Sequence, residues 1–420
     1  MHRGDVFMQF RDLPGLIRKS ETISRIGKIE NVEGMLLEAS GGRTSIGEIY
    51  MIYDERQNRH IPAEVIGFKQ NKIQMMSYED TNGISSGSIV RSTKKRLKIP
   101  VGDFLKGRVI DAMGRPIFGE MFSDSQFCYV ENTYTNPLKR PPITERLDFG
   151  VKAIDGLLTI GKGQRIGIFA GSGVGKSTLL GMIAKNSTAD INVIALVGER
   201  GREVREFIER DLGEEGRQRS VVVVATSDES SMMRMKCPLV ATTIAEYFRN
   251  QGKDVLLMMD SLTRFAMAKR EIGLSLGEPP VARGYTPSIY TEFPKLLERS
   301  GRFKEGSITG VYTVLVEGDD TNEPIADTVR GILDGHIVLT RKLANENHFP
   351  AIDINASISR LMSSVASERQ KELASGIRDI LSTYSKNEDL ISIGAYKMGT
   401  SQKVDQAISR IDRVNAFLMQ

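Results

Sequence analysis

Ile166-Gly167-Ile168-Phe169-Ala170-Gly171-Ser172-Gly173-Val174-Gly175-Lys176-Ser177-Thr178 places an apolar run, a glycine-rich turn and a Lys-Ser-Thr triplet in direct succession. The apolar run predicts a strand ending at Ala170, and the residues from Ser177 to Asn186 predict a helix. Glycines let consecutive backbone N–H groups curl around phosphate oxygens, and the new helix adds the positive end of its dipole. The loop atoms of Ala170, Gly171, Ser172, Gly173, Val174 and Gly175, with Lys176, Ser177 and Thr178, are therefore the candidate nucleotide ligands. Lys176 is spaced to reach β- and γ-phosphates, and Ser177 to bind Mg²⁺. Ala170 departs from the G-x-x-x-x-G-K-[ST] pattern, which is tolerable if that position is extended rather than left-handed. The expected ligand is ATP with Mg²⁺.

Outward from this loop, strand patterns at 165–170, 192–197, 220–225, 254–259, 310–316 and 336–340 alternate with helical ones such as 177–186 and 242–250. That order predicts an α/β domain with a mostly parallel sheet covered by helices on both faces. Towards the amino end, residues 24–96 show short alternating segments such as Ile49-Tyr50-Met51-Ile52-Tyr53, which predict a small all-β unit. Before it, residues 7–17 are amphipathic but interrupted by Pro14. Beyond 363, residues 367–384 and 401–418 read as helices joined by a turn at Ile393-Gly394-Ala395-Tyr396. The expected division is 1–96, 97–362 and 363–420.

Composition narrows the function. The 420 residues are 40% hydrophobic and 26% charged, typical of a soluble globular chain. No apolar run is long enough to cross a bilayer, and the first residues lack the core of a secretion signal. Cys128 and Cys237 have no ligand-like spacing, so a reducing, cytoplasmic location is expected. A net charge of +4 does not suggest a nucleic-acid binder. The basic run Lys94-Lys95-Arg96-Leu97-Lys98 reads as a solvated linker.

Hydrolysis needs a carboxylate to orient water and an acid beside the metal. Leu256-Leu257-Met258-Met259-Asp260 offers the second, a buried strand ending in Asp, although a strand-end Asp also serves as a helix cap. Ile194-Ala195-Leu196-Val197-Gly198-Glu199-Arg200 offers the first, with Glu199 at the carboxyl end of a strand, where ligands sit in such sheets. Spacing alone leaves Glu199 equally open to pairing with Arg200 or Arg202. Asp319-Asp320 reads as a solvated turn. His2, His60, His336 and His348 form no ligand-spaced set, and His336 reads as a satisfied core residue.

Three strings carry a family resemblance. Gly198-Glu199-Arg200-Gly201-Arg202-Glu203-Val204, Asp260-Ser261-Leu262-Thr263-Arg264 and Pro350-Ala351-Ile352-Asp353-Ile354-Asn355-Ala356-Ser357-Ile358-Ser359-Arg360 resemble the rotary ATPase α/β family. Asp334-Gly335-His336-Ile337-Val338-Leu339 and Gly277-Glu278-Pro279-Pro280 are most similar to its flagellar and type III secretion branch. The resemblance implies an N-terminal β-barrel, a P-loop core, a C-terminal helical domain and a ring of six subunits, expected to be a homohexamer because this one chain carries both Glu199 and Arg360. It implies that Glu199 activates water and that Arg200 contacts the γ-phosphate. Arg360 matches an arginine finger for the neighbouring site. Phe349 matches an aromatic packing on adenine, with Tyr396 a second adenine-side candidate.

The expected role is ATP hydrolysis energising protein export, peripheral to the apparatus at the inner membrane. Implied partners are a central stalk protein, a regulatory stator-like protein, export-gate components, exported proteins and their chaperones. The loop 273–294, rich in Gly and Pro, is the candidate stalk contact. Both ends differ from the family pattern: little helix follows Leu418, and the segment before the barrel, where relatives bind the regulatory protein, is short and broken by Pro14. A ring RNA translocase, an ATP synthase-type catalytic subunit and a non-catalytic nucleotide-binding subunit are the alternatives. The mixed charge of the barrel region argues against the first, and Glu199 and Arg360 on one chain argue against the other two.

Overall fold

The computed structural model describes residues 25–122, 126–130, 136–316 and 323–420. The amphipathic stretch around Pro14 and the Asp319-Asp320 pair lie outside these residues. The chain divides into two compact units, Met1–Leu97 and Lys98–Gln420.

In the first unit, β1 (Ile26–Glu33), β2 (Leu36–Ala39), β3 (Glu48–Asp54), β4 (Arg59–Lys69), β5 (Lys72–Ser77) and β6 (Ile89–Arg96) close a barrel in the order β1-β2-β5-β4-β3-β6. Period-two alternation turns Ile29, Leu37, Ile52, Ile61, Val65, Met75 and Val90 inward. Gln70 and Asn71, both at positive φ (48° and 67°), make the tight β4–β5 turn. The basic run is corrected here: Lys94, Lys95 and Arg96 are the end of β6, and Leu97 is buried. Three consecutive basic residues carry no period-two apolar signal, so pairing with β3 decided the strand.

The second unit is built on β7 (Val109–Asp111), β8 (Arg165–Ala170), β9 (Ile191–Glu199), β10 (Ser220–Thr226), β11 (Asp254–Asp260), β12 (Gly301–Phe303), β13 (Gly306–Leu315), β14 (Gly335–Leu339) and β15 (Ile352–Ser359). Their order is β15-β14-β8-β13-β11-β9-β10-β7, with β12 on β13. All neighbours are parallel except β14–β15 and β12–β13. The runs Val221 to Ala225 and Val255 to Met259 are buried throughout, as parallel strands covered on both faces require. Truncating one such residue, Leu256→Ala for example, costs roughly 2–5 kcal/mol through lost transfer energy and the cavity left behind.

Helices α1 (Lys152–Leu157), α2 (Lys176–Asn186), α3 (Gly201–Glu206), α4 (Ser231–Arg249), α5 (Leu262–Ser275) and α6 (Pro287–Leu297) belong to the same unit. The helix read at 242–250 begins eleven residues earlier, at Ser231, capped by the Ser230 side chain that accepts from Met233 N. Pro238 hid its first half, yet the helix continues through it. The segment 273–294 is also corrected: α5 runs to Ser275, and α6 starts at Pro287, a favoured first-turn position. Only residues 276–286 form a connection.

The tail folds as α8 and α9 of a longer set. Between α6 and them lies α7 (Pro324–Ile332); α8 spans Glu368–Ser392 and α9 spans Gln402–Leu418. In α9, Val404, Ala407, Ile411, Val414 and Leu418 form one buried stripe at helical spacing. Val414 and Leu418 share a core with Ile352 and Ile354 of β15. Arg378 of α8 donates to the carbonyls of Ile354 and Leu157, which fixes the helix pair to this unit. Gly394 makes the joining turn at φ 70°.

Candidate functional site

Strand order brings the chemistry together. β8 lies two strands from β11, and β9 lies beside β11 with Leu196 opposite Asp260. Ala170, Asp260 and Glu199 therefore end three strands on the carboxyl edge of one sheet, where α/β proteins bind ligands. Ala170 is an extended, fully buried strand residue, so its Cβ is accommodated. Gly173 and Gly175 carry the left-handed turns (φ 80° and 89°). No side chain caps α2, which leaves its first N–H groups for an anion.

These elements line a cavity of about 730 Å³ that contains Gly171, Ser172, Gly173, Gly175, Lys176, Ser177, Thr178, Glu199, Arg200 and Asp260. Lys176 Nζ lies 2.5 Å from Asp260 Oδ1 and 3.7 Å from Glu199 Oε1. Asp260 Oδ1 also accepts from Thr313 Oγ1 at 2.8 Å. Ser261, not Asp260, caps the following helix α5 by accepting from Arg264 N. Burial disfavours the Lys176 charge, but Asp260 and Glu199 more than offset it and hold its pKa above the ordinary value. Burial first, then the charge of Asp260, pushes the Glu199 carboxyl up to about 7, against the opposing pull of Lys176.

Glu199 does not pair with the arginines beside it. Arg200 contacts Glu203 at 3.0 Å and Arg202 contacts Glu206 at 2.8 Å. Glu199 Oε1 is buried with no hydrogen-bond partner. A buried, unsatisfied carboxylate oxygen is costly and is retained where a ligand or water completes it.

The cavity also holds residues that sequence reasoning left without a role. Arg264 Nε is buried without a partner, and its side chain packs where a Cβ on Gly198 would come within 3.1 Å. Its signal was its place four residues after Asp260, on the first turn of α5. Arg341, Tyr285 and Glu323 also line the cavity. Arg341 follows β14, so a strand-end position was the legible clue, whereas Tyr285 and Glu323 arrive through tertiary folding.

The remaining candidates lie elsewhere. Phe349 sets its ring against the loop, 3.4 Å from the point where a Gly175 Cβ would stand. Arg360 is exposed after β15, outside the cavity lining, with its N–H donating to Asp334 O. Tyr396 is not brought to the cavity: its hydroxyl donates to Asp405 Oδ1 at 2.8 Å in the α8–α9 turn. His336 is half-buried, with Nε2 3.1 Å from Ala356 O.

A P-loop on a parallel sheet, with a buried acid and an unsatisfied carboxylate at the neighbouring strand ends, defines a nucleoside triphosphatase. Residues 150–359 match the nucleotide-binding domain of the ATP synthase alpha/beta family, residues 29–94 its beta-barrel domain, and residues 366–420 the T3SS EscN ATPase C-terminal domain. The chain is 54% identical to the flagellum-specific ATP synthase of Bacillus subtilis over 98% of its own length and 95% of the relative's. It is 47% identical to the type 3 secretion system ATPase of Xanthomonas euvesicatoria, covering 94% and 90%. The assembled ATPase EscN of enteropathogenic E. coli superposes with a TM-score of 0.88 at 47% identity, covering 94% of this chain and 95% of that one. A second EscN structure, in complex with its central stalk EscO, gives a TM-score of 0.86 at 46% identity over 94% of this chain and 95% of that one. The chain belongs to the ATP synthase α/β family, within its flagellar and type III secretion ATPases, and is an ATPase.

Proposed function

We propose that this protein hydrolyses Mg-ATP to drive protein export through a flagellar or type III secretion apparatus, with Glu199 as the group that activates water. The buried Glu199 Oε1, without a hydrogen bond and 3.7 Å from Lys176 Nζ, carries this reading. A carboxylate near pKa 7 is matched to taking a proton from water at neutral pH. In this reading Lys176 would leave Asp260 to hold β- and γ-phosphate oxygens, and Arg200 and Arg264, which both line the cavity, would be available to the γ-phosphate. Phe349 packs on the adenine base.

The site also suits a divalent cation. Ser177 and Asp260 are hard oxygen donors in one cavity, the donor type Mg²⁺ prefers, and would hold it. Bound there, Mg²⁺ neutralises phosphate charge. Asp260 pairs with the Lys176 ammonium, so its carboxylate faces a cation.

Arg360 completes the site from a neighbouring copy in a homohexamer. Its exposure, away from its own cavity, supports this assignment, as do the assembled EscN relatives. A central stalk partner is supported by the EscN–EscO complex. Residues 276–286 are suited to transmit stalk contact, since Tyr285 lines the cavity and Arg283 pairs with Glu323, another lining residue. Among the described residues no helix is long and apolar enough to cross a membrane, which fits peripheral attachment to the export gate at the inner membrane. A regulatory stator-like protein, exported proteins and their chaperones complete the proposed partners.

The decisive experiment measures ATPase rate per chain against protein concentration, with mass determined in parallel. The expected result is a steep rise on assembly, since arginine fingers contribute about 10³–10⁵ in related P-loop enzymes. Equal turnover by verified monomer would exclude a shared site.

A further inference from the structure

Just beyond α9, Gln420 bonds to two distant segments of the nucleotide-binding unit. Gln420 N donates to Phe349 O at 3.0 Å. Its side chain reaches the start of the nucleotide-binding fold: Oε1 accepts from Lys152 N at 3.0 Å, and Nε2 donates to Gly150 O at 2.9 Å. Three segments that are remote in sequence meet on one glutamine.

The anchor at 150–152 is hydrogen-bonded in place and packs on the helix that follows the P-loop. The Asp155 carboxylate accepts from Phe149 N and Gly150 N, both at 2.7 Å. Gly150 stands at φ 71°, and a Cβ there would lie 2.2 Å from Cβ of Asn186. Asn186 is the last residue of α2, the helix that begins at Lys176. The anchor is thus pressed against the far end of the phosphate-binding helix. Phe349 lies at that helix's other end, against Gly175. Its ring is partly exposed, so packing alone does not fix it.

We propose that Gln420 is a positioning residue for the base of the nucleotide: it holds the Phe349 segment at a set distance from the P-loop, so that the aromatic ring meets adenine while the loop holds phosphate. The proposal rests on Phe349 being the adenine-packing residue. It makes the seating of α9 a determinant of nucleotide affinity, since α9 delivers Gln420 through its buried stripe ending at Leu418. A residue acting through Phe349 affects ligands that carry the base and spares those that do not.

The test compares ADP with inorganic pyrophosphate, each titrated by calorimetry against the full chain in Mg²⁺ buffer. Gln420→Ala removes both side-chain anchors. ADP affinity is expected to fall about threefold to tenfold, the effect of one or two modest hydrogen bonds, with pyrophosphate affinity unchanged. Lys152→Pro provides an independent variant. It deletes the N–H that binds Gln420 Oε1 at the first position of α1, where proline is tolerated, and Val151 before it already has extended backbone (φ −115°, ψ 114°). The same selective loss is expected. In the double variant Phe349→Ala with Gln420→Ala, ADP affinity should equal that of Phe349→Ala alone.

Equal losses for ADP and pyrophosphate, or additive losses in the double variant, overturn the proposal. If Phe349→Ala weakens ADP and neither Gln420→Ala nor Lys152→Pro does, the clamp fails and the role of Phe349 stands. If Phe349→Ala leaves ADP affinity intact, the role of Phe349 fails and the clamp falls with it.

Discussion

Lys176 and Asp260 stand 84 residues apart in sequence and meet at 2.5 Å, ammonium against carboxylate, inside a cavity built for phosphate. The lysine proposed to hold the polyphosphate is thus paired with the acid proposed to face its metal. In the proposed binding mode that ion pair would give way to a lysine–phosphate and an acid–metal contact, so each buried charge would keep an opposite partner.

Asp260→Asn tests that exchange. The variant frees Lys176 from its strongest partner and removes the proposed metal ligand. Without Mg²⁺, its ADP affinity should equal or exceed that of the wild type, because the competing ion pair is gone. Adding Mg²⁺ should strengthen ADP binding in the wild type and not in the variant. Turnover should drop by at least about 10². Titration with and without chelator, beside a steady-state assay, separates these effects.

Glu199 gives a pH profile with a definite sign. Its carboxyl, pushed up to about 7, is largely protonated at pH 6 and ionised at pH 8. A base works only when ionised, so kcat/KM for ATP should rise through about pH 7 with a one-proton slope. Glu199→Gln should bind ADP nearly as well as the wild type, turn over about 10²–10⁴ times more slowly and lose that slope. A retained slope in the variant would assign it to another group.

Glu229 predicts a stability change unconnected with catalysis. Its Oε2 is buried without a hydrogen-bond partner, and burial, then the charges of Asp111 and Asp228, push its carboxyl up to about 7. The folded state therefore holds this proton more tightly than the unfolded chain, whose value is near 4.5. The stabilisation is fully present below about pH 4.5 and is lost as pH rises to about 7. Glu229→Gln should match the wild type near pH 4.5 and exceed it at pH 8 by about 1 kcal/mol, after allowance for solvent screening of a partly exposed group. Urea denaturation at the two pH values measures it.

Arg360 predicts complementation. Arg360→Ala and Lys176→Ala chains should each be nearly inactive, while a mixture recovers part of the activity. In mixed rings some interfaces pair an intact P-loop with an intact finger. A mixture as inactive as its components would place Arg360 outside the neighbouring site.

The P-loop was legible because its chemistry is local. Strand, glycine turn and helix start are contiguous from Arg165 to Asn186, and no distant contact is needed to form them. Ala170 was readable as an acceptable departure for the same reason: extended backbone at that position follows from the strand before it. The parallel sheet was legible from fully apolar runs, which only doubly covered strands can afford.

The sequence by itself determined which groups were available: a lysine and serine on a helix start, two acids at strand ends, an arginine beyond the last strand. Tertiary structure decided their state. Strand order set Glu199 near Lys176 and left its Oε1 without a donor, which spacing had left open between Arg200 and Arg202. It sent Tyr396 to Asp405 and joined Gln420 to Phe349. Pairings across tens or hundreds of residues depend on where the chain crosses itself, and burial, which tunes each charge, exists only once it has.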